Sequence, residues 1–129
     1  MFKGINHVGI VVQSIDDTLG FLSETFGAEE VSRVELPQLQ QVSSIVRIGN
    51  GQFELMEPMG PDGVVGKFLE GKGGGLHHIS LLCDDLDAAC QEMEAKGFKV
   101  LGRMPDGPRV AFLHPKASKG ILFELAEKR

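Results

Sequence analysis

The chain carries one strand-and-helix pattern twice, and a pattern duplicated within 129 residues fixes architecture before any local motif can. Ile5-Asn6-His7-Val8-Gly9-Ile10-Val11-Val12 is answered by Leu76-His77-His78-Ile79-Ser80-Leu81-Leu82-Cys83. The register continues without a gap from Ser14-Ile15-Asp16-Asp17 to Asp85-Leu86-Asp87-Ala88, and Phe53-Glu54-Leu55 recurs as Phe123-Glu124-Leu125. Histidine and glutamate are separated by 54 − 7 = 47 residues in one copy and 124 − 78 = 46 in the other. Two copies related by a pseudo-two-fold axis bring equivalent side chains together. Two imidazoles and two carboxylates meeting in that way form a divalent-metal site, so His7, Glu54, His78 and Glu124 are the candidate ligands.

Each copy reads as β-α-β-β-β. Residues 5–12 form a Val- and Ile-rich strand. Ser14 caps a helix with Asp16 and Asp17 in its first turn, Leu19, Leu22 and Phe26 on its apolar stripe, and Gly27 as its stop. Strands follow near 29–35, 41–48 and 52–57, the last two joined by Gly49-Asn50-Gly51. Residues 59–75 form a linker in which Pro61 and Asp62 open a short helix through Val64, Val65, Phe68 and Leu69. The run Gly71, Gly73, Gly74 and Gly75 precedes a strand and opens no helix, so it reads as a linker and not as a phosphate loop. The second copy has a strand at 76–83, a helix capped by Asp84 or Asp85 and ended by Gly97, and strands near 98–103, 109–113 and 120–126. The expectation is an α+β fold in a single domain, residues 1–129, with two tandem βαβββ modules (5–58 and 76–127). Together they form a curved mixed sheet around a metal-binding cleft.

Composition narrows the function. A net charge of −5 argues against a nucleic-acid partner, and no apolar run is long enough to span a bilayer. The N-terminus has no signal-peptide core, and Cys83 and Cys90 fit neither zinc nor redox spacing, so a cytoplasmic protein with reduced packing cysteines is expected. Exposed sheet edges on small modules point to a homodimer. Taken singly, a histidine in an apolar strand is usually a packed core residue. A glutamate between Phe and Leu is usually the wet side of a strand. The joint recurrence of both outweighs those readings. His77 aligns with Asn6, not His7, and reads as a structural neighbour. His114, at a strand end before Pro115, reads as a loop residue.

The repeat, its histidines and its Phe-Glu-Leu ends resemble the vicinal oxygen chelate superfamily, which includes glyoxalase I, extradiol dioxygenases, bleomycin-resistance proteins and methylmalonyl-CoA epimerase. The resemblance covers nearly the whole chain and implies a metal held by His7, Glu54, His78 and Glu124. Three stretches are most similar to the epimerase branch: His7-Val8-Gly9-Ile10, Gly74-Gly75-Leu76-His77-His78-Ile79, and Phe112-Leu113-His114-Pro115-Lys116 running to Glu124-Leu125. That branch implies an isomerase acting on an acyl-CoA, methylmalonyl-CoA, through α-proton abstraction. Cobalt is the preferred divalent metal, with nickel, manganese or zinc as alternatives.

On this resemblance Glu124 and Glu54 are the catalytic bases. Some epimerases carry a further glutamate on the third strand of the first module. By residue count that position is Ser44 here, a poor base. Lys116, Lys119, Arg103 and Arg109 are the cations available to coenzyme A phosphates. Two other functions share the fold: a glyoxalase I-like lactoylglutathione lyase, with the same ligands, and a metal-free binding protein of the bleomycin-resistance kind.

Overall fold

The duplicated pattern becomes one sheet. The computed structural model describes residues 1–128. In order along the chain are β1 (Phe2–Val11), α1 (Ile15–Phe26), β2 (Glu29–Leu36), β3 (Gln41–Ile48), β4 (Gly51–Pro58), α2 (Val64–Lys72) and β5 (Gly75–Cys83). There follow α3 (Leu86–Ala95), β6 (Val100–Leu101), β7 (Val110–Leu113) and β8 (Phe123–Glu127). The strand order is β2-β3-β4-β1-β5-β8-β7-β6. β1 runs parallel to β4 and β5 runs parallel to β8, with antiparallel pairs elsewhere, so this is the expected mixed α+β fold. The chain divides into two compact units, Val8–His77 and Met1–His7 with the chain from His78 onward, and the division falls inside β1.

In the Val8–His77 unit, Val46, Leu55 and Val12 pack with Ile15, Leu22 and Ala28 into a buried cluster beneath α1. α2 packs through Val65, Phe68 and Leu69 on Val11 and Met56, which strand alternation turns to the other face. A Cβ at Gly66 would lie 2.3 Å from the Gly60 carbonyl oxygen, so only glycine lets α2 sit this close to the preceding turn. In the other unit Leu86, Ala89, Cys90 and Met93 of α3 cover Cys83, Ala111, Leu113 and Leu125.

Both long helices begin as the sequence indicates, and each has a second acceptor. Ser14 Oγ accepts from the Asp17 N–H at 3.1 Å, and Asp85 Oδ1 from the Ala88 N–H at 3.0 Å. Glu57 Oε1 also accepts from the Ile15 N–H at 2.7 Å, and Glu127 Oε2 from the Leu86 N–H at 2.9 Å. These glutamates stand at matching ends of β4 and β8, each placing a carboxylate at the positive end of a helix.

Several boundaries differ from expectation, and β1, expected from residue 5, starts at Phe2. α2 starts at Val64 after Gly63, not at Pro61-Asp62, and Gly73 ends it in the left-handed region at φ 77°. α3 ends at Ala95, ahead of Gly97. β6 shrinks to two residues. β8 starts at Phe123 because a 3₁₀ turn over Pro115–Ser118 and left-handed Lys119 and Gly120 occupy the chain before it.

Candidate metal centre

Register alone assigns the faces of the second half of the sheet. Ser80 lies opposite Glu124 in the parallel β5–β8 pair, and Phe112 lies opposite Glu124 in the antiparallel β7–β8 pair. Directly opposed residues share a face and alternate residues return to it. His78, Ser80, Phe112 and Glu124 therefore stand on the face turned away from α3, while Leu125 and Cys83 face the helix.

His7, on the part of β1 that belongs to this unit, joins them. Its Nε2 lies 3.1 Å from His78 Nε2 and 3.3 Å from Glu124 Oε1, and His78 Nε2 lies 3.8 Å from Glu124 Oε2. The three residues are 7%, 4% and 5% exposed. The two imidazoles meet nearly at right angles, with centroids 5.3 Å apart, and Phe112 packs edge-on against His78 at 5.5 Å. The side-chain amide nitrogen of Asn6 lies 3.2 Å from His7 Nδ1, on the far side of the ring from Nε2.

This donor set fits a divalent cation. Two ligand atoms each about 2.0–2.2 Å from one ion, at near-tetrahedral or near-right angles, stand about 3.0–3.5 Å apart, and the nitrogen pair and the nearer carboxylate contact fall in that range. Imidazole and carboxylate suit cobalt, nickel, manganese and zinc.

Glu54, half-buried on β4, lies opposite Gly9 in the Val8–His77 unit. Gly9 is two residues along β1 from His7, as Ser80 is two residues along β5 from His78. The duplication thus repeats the same His-x-Gly and His-x-Ser register against each glutamate.

Other candidates have other surroundings. His77 packs edge-on against Phe68 of α2, with centroids 4.9 Å apart. His114 is exposed, and its Nδ1 accepts from the Lys116 N–H. Arg103 and Arg109 pair with Asp87, and Arg109 pairs also with Glu127 at 3.1 Å. Since Glu127 caps α3, both guanidiniums belong to the helix side of the sheet, away from Glu124. Lys116 and Lys119 are exposed.

Ser44 requires a correction. It lies opposite Leu55, which faces α1, and not opposite the residue that shares a face with Glu54. Fully buried there, its hydroxyl donates to Glu30 Oε2 at 2.6 Å. That bond, and to a lesser extent the Arg33 guanidinium, holds the Glu30 carboxyl below its usual range against the opposing effect of desolvation. A count off by one residue moves a strand position to the other face. The residues of β3 on the Glu54 face are Gln41, Ser43, Ile45 and Arg47; Ile45 is opposite Glu54, and the buried Ser43 oxygen accepts from the Gln41 amide at 3.0 Å.

Comparison with known proteins identifies the family. Residues 6–113 match the model of the Glyoxalase/Bleomycin resistance protein/Dioxygenase superfamily, and the chain belongs to that family. It is 34% identical over 128 residues to the mitochondrial methylmalonyl-CoA epimerase of Homo sapiens, covering 95% of this chain and 73% of that protein. It is 32% identical to the ethylmalonyl-CoA/methylmalonyl-CoA epimerase of Cereibacter sphaeroides, covering 98% and 99%. A variant methylmalonyl-CoA epimerase from Streptomyces coelicolor, solved with 2-nitronate-propionyl-CoA, superimposes with a TM-score of 0.91 at 31% identity over the full length of both chains. Within its family the chain is an isomerase of the epimerase type. Among the described residues no helix is long and apolar enough to cross a membrane.

Proposed function

We propose that the chain epimerises methylmalonyl-CoA by removing and replacing its α-proton, with His7, Glu54, His78 and Glu124 holding a divalent cation, cobalt first among the candidates. The observation that carries the reading is the buried convergence of His7, His78 and Glu124, in a chain whose relatives are methylmalonyl-CoA epimerases. The repeated register supports Glu54 as the fourth ligand.

A bound divalent cation supplies charge that offsets the negative charge developing on the thioester oxygen as the proton leaves. Glu124 and Glu54 are the acid/base pair, one taking the α-proton and the other returning a proton to the opposite side of the carbon. No third base is needed from β3, whose Ser43 and Ile45 occupy the Glu54 face. The imidazoles stay as ligands throughout, and Phe112 packs His78 in its orientation and shields it from water.

The test is α-proton exchange of methylmalonyl-CoA in deuterated water, followed by NMR with added cobalt and with chelator. Cobalt-dependent exchange is expected, falling at least about 100-fold in Glu54→Ala and in Glu124→Ala, as loss of general base catalysis gives. Full exchange in both variants with metal retained would refute the assignment of the bases. A cobalt-loaded wild type that leaves the α-proton in place but converts a glutathione hemithioacetal would replace the epimerase by a glyoxalase-type reaction.

A further inference from the structure

Ser80 is fully buried, and its hydroxyl oxygen has no hydrogen-bond partner among the described residues. Taking a hydroxyl from water without giving it a partner is unfavourable. An alanine would fill the position without that cost.

β5 and β8 supply a use for the oxygen. Ser80 is directly opposite Glu124 in their parallel register, on the face that carries His78. Neighbouring strands stand about 4.8 Å apart, so the serine hydroxyl and the stem of the carboxylate are adjacent side chains. A hydroxyl can donate and an ionised carboxylate only accepts, so the two are chemically complementary. The duplicated position is Gly9, opposite Glu54, which has no side chain to offer. The repeat keeps its histidine and glutamate in both copies and differs in the residue facing each glutamate.

We propose that Ser80 is a positioning residue whose hydroxyl donates to the Glu124 carboxylate when that carboxylate holds the cation. It thereby steadies Glu124 in its ligating position, an aid that Glu54, opposite Gly9, lacks. The inference rests on the cation-binding reading and adds to it an inequality between the two glutamates. Hydrogen-bond partners one step beyond the ligands typically change metal affinity by about 10- to 100-fold.

The test is cobalt(II) titration of the chelator-stripped protein, followed by calorimetry and by the visible absorption of the bound ion. It compares wild type, S80A, E124Q, E54Q and the double variants S80A/E124Q and S80A/E54Q. Expected is cobalt affinity weakened about 10-fold or more in S80A, with a melting temperature of the metal-free variant equal to or above that of wild type. S80A should add nothing once Glu124 is replaced, and should act with its full factor once Glu54 is replaced. The inference is overturned if S80A binds cobalt as tightly as wild type, or if its loss persists in the E124Q background. A wild type that takes up no cobalt would instead remove the cation-binding reading itself, and the inference with it.

Discussion

Ser44 and Ser43 are neighbours in sequence and have different environments in the fold. Ser44 donates to Glu30 beneath α1, whereas Ser43 accepts from Gln41 on the Glu54 face. Ser44→Ala should destabilise the protein by about 1 kcal/mol at pH 7, since a charge-assisted hydrogen bond to a partly exposed carboxylate is lost. The folded carboxyl lies below its ordinary value of 4.5, so its contribution is present above that pH and fades as pH falls through the lower folded value. The gap between wild type and variant should therefore close in acid. Urea unfolding at pH 7 and pH 3 measures it, and an undiminished gap at pH 3 would contradict the assignment. The same pair marks the limit of reading sites from sequence. His7, His78 and Glu124 were legible because the duplication named each of them twice. Ser80, Phe112 and the Gln41–Ser43 pair were not, since their place depends on which residue opposes which across strands.

At the scale of elements, the helices with local signals were read closely. Ser14, Asp16, Asp17 and Gly27 bracket α1, and the helix spans Ile15–Phe26. Elements that depend on distant partners were read less well. The segment 98–103 keeps only Val100–Leu101 as strand, because its pairing is limited to Leu113 and Phe112. The carboxylates of Glu57 and Glu127 were also hidden, because each caps a helix about 40 residues away in sequence. Glu57→Ala should cost about 1–2 kcal/mol in urea unfolding. Gly66→Ala is a stricter trial of packing. With its Cβ inside contact distance of the Gly60 carbonyl, α2 must move, at a cost of about 1–3 kcal/mol. Amide hydrogen exchange should show faster opening across Val64–Lys72 in that variant, and unchanged protection there would show that the turn gives way.

For the whole molecule, the proposed cation joins side chains that are 71 residues apart along the chain, His7 and His78. A ligand that binds only the folded state raises stability by an amount set by its concentration, about 2.7 kcal/mol at one hundred times its dissociation constant. Cobalt should therefore raise the melting temperature of the stripped wild-type protein by several degrees, and Glu124→Gln should abolish most of that rise. Calorimetric scans with and without the ion provide the comparison, and equal shifts in both proteins would exclude Glu124 as a ligand.

β1 belongs in part to each compact unit, with the dividing point between His7 and Val8. The two repeats in sequence and the two units in space are therefore cut at different places. A fragment severed at the linker and starting near Gly75 would lack residues 1–7, and with them a strand neighbour of β5 and an imidazole of the buried cluster. Such a half is an incomplete object: it keeps the β5–β8 pair and loses the imidazole of His7 from beside His78 and Glu124. Cutting the gene at the sequence repeat therefore does not cut the molecule at a natural seam.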